Sequence, residues 1–580
     1  MKKNALMESI RFWSVMFLVI VHFALIAQPV ALSQIFAPQP FLPKSEIIPV
    51  PNSTLTQTQI MFDHPAYPKA VVYDVVVVEV SDKSSLTKFE AVDSSCATLL
   101  QHFEFGKTYN WYYIAYGKSR KVLYKSPSYV FSIQQLPPNK RVRVIVNDES
   151  ANQGGLISFD YYCMITDRTG TPVWFLPKAP NQEFSQDDKV RDLRISFAGT
   201  CTFITQRNAF EIALDGRILW KAPQVGPRSP NYVETLHHGV ERLPNGNIMT
   251  MGNHTEKFQV PNDTVTVNSE FGVIVEYDRK GNVVWKWDSF TYLRESDLQY
   301  KKLNATQWSL SSHLNAFRVT QDGDIIYAGF RDLDRVVMVS KSQGVAGESY
   351  GRLTPSGAAP KGDGFFHSQH DVCPLRDGNI AVFNNDSISK DSVVSSIVIF
   401  SRAKTGGDAA VVWRFACNFD KLTNGKSEKG GSVDELPNGN LLSNFGTLNR
   451  CIEVTRDKKI VWDAFTEYYA ADSGIWRPAG QYRSHYVSSL YPCYYSAVIA
   501  KQTKKEIWVN ITNEGSEQDS YLVNYMGADK KWIFSGESVD VLPGKTLPFL
   551  VLSGKIADIT TIQVQSVANP DFTRVIKLAK

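Results

Sequence analysis

The chain has 580 residues with 43% hydrophobic and 21% charged side chains, the balance of an ordinary folded protein rather than a disordered or polytopic membrane one. Its formal net charge of +4 supplies no strong field for nucleic acid or an anionic membrane, so neither is expected as a partner. Seven cysteines cannot staple a chain of this length, and roughly 150 residues per domain allows about four units or one large repeat fold with attachments.

The N-terminus opens Met1-Lys2-Lys3 and runs into an apolar stretch, Phe12 to Ala27, whose one ionisable residue is His22. That stretch is shorter than the roughly 20 residues of a comfortable transmembrane helix, and Ala27 and Ala31 offer cleavage points. Residues 1–33 therefore read as an export signal, with an uncleaved anchor as the alternative and as the only route to a membrane. Export implies a periplasmic or secreted protein in an oxidising compartment, where Cys96, Cys163, Cys201, Cys373, Cys417, Cys451 and Cys493 could pair with at least one left over. Six Asn-x-Ser/Thr sites, at Asn52, Asn253, Asn262, Asn304, Asn385 and Asn510, could carry glycans in a source that glycosylates them.

After a Pro-rich linker, residues 44–135 read as a small β-sandwich. Segments such as Ala70 to Val80 and Thr108 to Ala115 alternate β-branched and aromatic residues between polar turns. Gln135-Leu136-Pro137-Pro138 then punctuates the chain.

Beyond it a pattern repeats. A turn signal returns as Leu243-Pro244-Asn245-Gly246-Asn247, Gln321-Asp322-Gly323-Asp324, Leu375-Arg376-Asp377-Gly378-Asn379 and Leu436-Pro437-Asn438-Gly439-Asn440. Asn-Gly and Asp-Gly suit tight hairpins because their central residues tolerate positive φ. A second hairpin ends in a hydrophobic-Trp pair at Trp174, Trp220, Trp285, Trp413 and Trp462, at intervals of 46, 65, 128 and 49 residues. The interval of 128 is two units, so one copy near residue 349 lacks its tryptophan. Two hairpins in each of six units predict an all-β, six-bladed β-propeller over 136–485; a β-solenoid, whose repeats are usually shorter, is the weaker alternative. Residues 500–580 read as a second, small β-sandwich-like unit without catalytic signals.

Six of the ten histidines lie between His237 and His370. His238 and His370 each stand seven residues before the Asx of their hairpin turn, and His313 nine before Asp322. If the innermost strands line a central channel, these side chains converge at one end of it. A lone histidine on a strand is ordinarily structural, but three at matching repeat positions point to a site.

Taken together, Leu236-His237-His238-Gly239-Val240, His313-Leu314-Asn315, Gly329-Phe330-Arg331 and Ser368-Gln369-His370-Asp371 resemble the secreted bacterial aryl-sulfate sulfotransferases, which use no nucleotide donor. The resemblance spans roughly residues 135–485. It implies a sulfuryl transfer between phenols by a ping-pong route, with His370 as the nucleophile that becomes sulfated. It further implies that His238, His313 and Arg331 are catalytic and that His237 and Asn315 contact substrate. Ser368 stands where the family often has glycine, and Phe330 where a small residue is common.

The chemistry suits these residue types, because sulfuryl transfer, like phosphoryl transfer, needs a positioned nucleophile and cationic donors around the equatorial oxygens. The expected partners are a phenolic sulfate donor and a phenol acceptor, with no cofactor and no metal, and a homodimer as the one protein assembly in view. Two other classes compete: a metal-dependent ester hydrolase built on His237, His238, His313 and His370, and a non-catalytic binding propeller.

Overall fold

The computed structural model describes residues 47–578, apart from 66, 68, 81–87, 94–96, 102, 179–182, 186–187, 207, 224–232, 234, 299, 305–306, 321, 353–361, 363, 386–393, 404–407, 419–424, 504–505, 528–531, 552–558 and 571. The N-terminal apolar segment and Cys96 lie outside the described residues. Among the described residues the regular structure is β-strand with short 3-10 turns.

Six antiparallel sheets follow one another along the middle of the chain, each with four strands in a simple meander. The second sheet, for example, runs Arg191–Ile195, Cys201–Ile204, Ala209–Ile212, Ile218–Lys221, and the fifth runs His370–Pro374, Ile380–Asn384, Ser396–Phe400, Val411–Ala416. The first sheet is assembled from both ends of the region. Leu156–Phe159 pairs antiparallel with Ser484–Val487, more than 300 residues downstream, with Ser158 opposite His485. Additional strands extend the third sheet (Trp308–Ser311, Lys301–Lys302) and the sixth (Ile475–Pro478, Lys140–Asn147).

The leading strands of the six sheets contact one another in sequence: Ser484–Val487, Arg191–Ile195, Thr235–Arg242, Leu314–Val319, His370–Pro374, Ser432–Glu435, and back to Ser484–Val487. An apolar core fills each space between successive sheets. Alternation along a strand feeds the two neighbouring spaces in turn, so Ile326 and Ala328 pack toward the third sheet while Tyr327 between them packs toward the fifth. Strands buried on both faces this way read as continuous hydrophobic runs rather than as alternating ones.

The recurrent tryptophans have a physical reason. Each sits on the fourth strand of its sheet, counted from the leading strand, and four donate their indole Nε1–H to a backbone carbonyl in the outer hairpin turn of the next sheet. The pairs are Trp174 to Leu214 at 3.0 Å, Trp285 to Lys341 at 3.1 Å, Trp413 to Arg456 at 2.7 Å, and Trp462 to Arg168 at 2.7 Å. In the fourth sheet, the copy without a tryptophan, Tyr350 takes the place. Its hydroxyl accepts from Ala403 N, in the corresponding turn of the fifth sheet, at 3.3 Å.

The leading strands are stitched in a similar way by polar side chains that are buried (Asp192, Asp371, His485) or mostly buried (Arg318, Asp434). Asp192 accepts from Val240 N at 3.1 Å, Asp371 from Val433 N at 3.0 Å, and Asp434 from Tyr486 N at 3.0 Å. Arg318 donates to both Asp371 (3.1 Å) and Asp434 (2.8 Å), and His485 spans Asp192 and Asp434. Buried carboxylates persist because each is matched by donors.

On the N-terminal side, a sheet containing Val72–Glu79, Thr108–Tyr116 and Tyr129–Ile133 and the strand pair Ile60–Asp63/Ala97–Leu100 enclose a core around Phe62, Trp111 and Phe131. Thr108–Tyr116 alternates buried and half-buried residues along its length, the pattern of a sheet with one face inside. The C-terminal strands, from Tyr495–Gln502 to Thr573–Lys577, form two further sheets around Tyr495, Val509 and Ile562. They rest on both other regions: Arg574 pairs with Asp63, and Asn569 Nδ2 donates to Ala198 O at 2.7 Å.

Two sequence expectations need correction. Cys201, Cys373, Cys417 and Cys451 carry free thiols. Cys201 lies in the second sheet, Cys373 in the fifth, Cys417 just past the last strand of the fifth, and Cys451 in the sixth, and burial pushes the Cys373 thiol up to about 12. The glycosylation motifs at Asn253 and Asn385 fall on buried side chains, at 7% and 0% exposure, which leaves no room for a glycan.

Candidate active site

His238, His313 and His370 come from the third, fourth and fifth sheets, and each stands at the same end of a leading strand. The strands are irregular there. In Thr235–Arg242 the register shifts between Leu236 and Val240, so His237, His238 and Gly239 bulge out; in His370–Pro374 it shifts between His370 and Cys373. His238 has φ 64, His313 φ 45, Ser368 φ 51 and Asp371 φ 57. Left-handed backbone at so many non-glycine residues is costly and concentrates where side chains must be re-aimed.

The result is a ring cluster. The imidazole centroids of His238 and His313 are 5.2 Å apart. Tyr482, just ahead of the closing strand Ser484–Val487, lies 5.7 Å from His238 and 5.8 Å from His370. His237 approaches His238 through the two Nδ1 atoms, at 2.7 Å, with the two rings nearly perpendicular and their centroids 4.7 Å apart. Of that pair His238 is thus the one within the cluster.

His370 is 2% exposed, and its Nδ1 lies 2.8 Å from Oδ1 of Asn385. Burial, with the positive charge of Arg331 nearby, brings its pKa down to about 3. Burial and Arg331 likewise lower His313 to about 4, and burial lowers His237 to about 3 and depresses His238. All four imidazoles are neutral at neutral pH.

Arg331 begins a short 3-10 turn after Ile325–Phe330, and its backbone N donates to His313 O at 3.0 Å. Its Nε is held by Asp332 at 2.8 Å, and the side chain is partly exposed. Asn315, expected on the substrate, is fully buried like His370; it donates through Nδ2 to the Gln369 carbonyl at 2.9 Å, one residue before His370, and its Oδ1 has no hydrogen-bond partner among the described residues. It ties the fourth sheet to the backbone that carries His370. Asp371 is likewise occupied by Val433 N and Arg318, so its role is structural.

Three residues at the site escaped the sequence reading: Arg191, Tyr482 and Asn385. Arg191 places its guanidinium 4.9 Å from the Tyr482 ring centroid, and its charge contributes to lowering His237, His238 and His313. A signal existed. Arg191-Asp192-Leu193 occupies in the second sheet the place of His370-Asp371-Val372 in the fifth, with the same bulge and Asp φ values of 56 and 57.

A cavity of about 190 Å³ opens beside the cluster, walled by His237, His238, Asn253, Glu270, Ser312 and His313. Among the described residues no three His, Cys, Asp or Glu side chains are placed to hold a metal ion together.

The arylsulfotransferase (ASST) family model matches residues 151–461, more than half of the chain and nearly all of the six-sheet region. No curated protein matches. Among solved structures, a protein of unknown function from Bacteroides caccae aligns at 15% identity over 56% of this chain and 93% of its own, with a TM-score of 0.33. Virginiamycin B lyase from Staphylococcus aureus aligns at 13% identity over 66% and 92%, with a TM-score of 0.27. The Cps50 (Swd1) β-propeller domain of Myceliophteria thermophila aligns at 12% identity over 56% and 89%, with a TM-score of 0.29.

Proposed function

The chain belongs to the arylsulfotransferase family and is a sulfotransferase in that general sense, and from this premise we propose that it moves a sulfuryl group between phenols by way of a sulfated His370. The six sheets are read as the blades of a propeller, with the histidine cluster at one mouth of its channel. The N-terminal segment is read as an export signal, which places the reaction outside the cytoplasm.

One observation carries the mechanism: His370 is a buried, neutral imidazole within the field of Arg331 and across Tyr482 from His238. A neutral imidazole has a lone pair for sulfur and later leaves well, which divides one transfer into two easier steps. In the first, the His370–sulfur bond forms as the ester S–O bond breaks, and the aryl oxygen departs with the bonding pair. In the second, the acceptor oxygen attacks sulfur, the bonding pair returns to His370, and the acceptor's proton passes to His238 or His313 and on to solvent. Arg331 stabilises charge on the sulfuryl oxygens, and a guanidinium suits that task by its permanent charge and fork of donors.

The test is release of 4-nitrophenol from 4-nitrophenyl sulfate by purified protein, with and without added phenol. Phenol-stimulated release that vanishes in His370→Ala, together with a gain of one SO3 on the His370 peptide when acceptor is withheld, supports the reading. Full activity in His370→Ala would overturn it.

A further inference from the structure

We infer that Asn385 is a positioning residue that fixes the tautomer of His370, keeping the proton on Nδ1 and leaving the lone pair on Nε2. The inference relies on the proposed role of His370 for its consequence, but its geometry stands independently.

Asn385 follows the strand Ile380–Asn384 and is 0% exposed. Its Nδ2 lies 3.0 Å from Ser427 O and 3.0 Å from Gly430 O. Backbone carbonyls only accept, so the amide atom that faces both of them must be the nitrogen. The other amide atom, 2.8 Å from His370 Nδ1, is therefore the oxygen. An oxygen without a proton can only accept, so His370 Nδ1 must donate. A neutral imidazole has one N–H, and with that hydrogen on Nδ1 the lone pair is left at Nε2.

The side chain cannot swing away at little cost. Ser395 Oγ donates to the Asn385 carbonyl at 2.9 Å and accepts from Ser427 N at 2.8 Å, closing the loop that offers the two carbonyls. A histidine presenting either nitrogen would be a nucleophile only part of the time; one held by Asn385 always presents the same atom. As Nε2 bonds to sulfur the ring becomes cationic, and the Nδ1–H to Oδ1 bond strengthens as that charge develops.

The experiment uses the full chain with nitrogen-15-labelled histidine, and His370 resonances are assigned by difference from His370→Asn. Wild type should show His370 protonated on Nδ1 and bare on Nε2. Asn385→Leu keeps the volume but removes the acceptor; it should shift the tautomer toward Nε2–H and lower kcat about 10–100-fold with little change in KM. Asn385→Asp keeps an oxygen toward His370 and, protonated on its other oxygen, can still donate to one carbonyl. It should retain the Nδ1–H tautomer and fall between wild type and Asn385→Leu in kcat. An Nε2–H tautomer in wild type overturns the inference, as does a folded Asn385→Leu with wild-type kcat and tautomer. If Asn385→Leu does not fold, the wild-type and Asn385→Asp tautomers decide. The expected tautomers in a protein that transfers no sulfuryl group would leave the positioning role standing and overturn the functional reading alone.

Discussion

Tyr482 stands nearly edge-on to His370, with ring planes at 77° and centroids 5.8 Å apart. It also touches His238 from the third sheet, so one tyrosine ring spaces two imidazoles that are 132 residues apart in sequence. Its hydroxyl is buried with no hydrogen-bond partner among the described residues, and burial pushes its pKa up to about 12, so it retains its proton. A buried donor left unpaired costs about 1–3 kcal/mol, and a substrate oxygen would recover that. Tyr482→Phe is therefore expected to leave the melting temperature unchanged or slightly higher while kcat/KM falls about tenfold. Tyr482→Ala should lose several kcal/mol of stability as well, because it opens a cavity. Thermal melts and steady-state kinetics on both variants check this.

His237 and His238 are neighbours in sequence but not equivalent in space. His238 contacts His313 and Tyr482, whereas His237 contacts His238 and shares with it and His313 the wall of the cavity. His238→Ala should lower kcat about 10²-fold or more, within the range of a lost acid–base or donor group, and His237→Ala should cost about tenfold or less. Equal losses in kcat would count against placing His238 alone within the cluster.

Arg331 lies beside His313 and holds a partner only one residue away, Asp332. Replacing it with lysine keeps the charge but loses the planar fork. Arg331→Lys is expected to lower kcat about 10²–10³-fold, the scale of a lost transition-state donor, with a smaller change in the binding of a non-reacting aryl sulfonate.

Acid should act on stability before it acts on the nucleophile. His64 and His370, at 3% and 2% exposure, have folded pKa values of about 4 and about 3, against 6.5 in the unfolded chain. Between these limits the unfolded state binds more protons, so stability rises with pH and erodes as pH falls below 6.5. Each such histidine contributes a slope of about 1.4 kcal/mol per pH unit. The neutral form of His370 persists in the folded protein to about pH 3. Single-turnover sulfation measured at pH 5 should therefore retain at least half of its pH 7 rate, while denaturant midpoints decline steadily over the same interval. A rate that halves near pH 6.5 would show a normally titrating imidazole.

The indole staples should matter for stability alone. Trp462 is fully buried and donates to Arg168 O, so Trp462→Phe loses that bond and some volume, at an expected cost of about 2–4 kcal/mol. Tyr350→Phe should cost about 1 kcal/mol, because it removes a hydroxyl while the ring stays packed. Neither should change KM for an aryl sulfate, and denaturant titration with activity assays tests both expectations.

Much of this was legible in the sequence because it is repetitive. The hairpin turns at Asn245-Gly246, Asp377-Gly378 and Asn438-Gly439 demand positive φ, and each connects the first two strands of its sheet. The tryptophan spacing marks the fourth strand of each sheet, even through the copy where Tyr350 replaces it. His238 and His370 stand equally far from their turns, but the register shifts put His238 inside a bulge and His370 opposite Phe383, so the count alone did not fix their places.

What sequence could not decide depended on contacts between sheets. Asn385 reads as a glycosylation motif until the Ser427 and Gly430 carbonyls, supplied by the connection to the next sheet, bury it and aim its oxygen at His370. In the sequence Asn315 shows only its nearness to His313; the neighbouring sheet brings the Gln369 carbonyl to its amide nitrogen. Tyr482 reaches the cluster because the chain's return strand, Ser484–Val487, closes on Leu156–Phe159. Periodicity, strand type and residue chemistry are local properties of the chain and can be read along it directly. Which polar atom each side chain faces depends on the folded chain, because those partners come from sheets far apart in sequence, and buried donors and acceptors must find one another wherever the fold brings them.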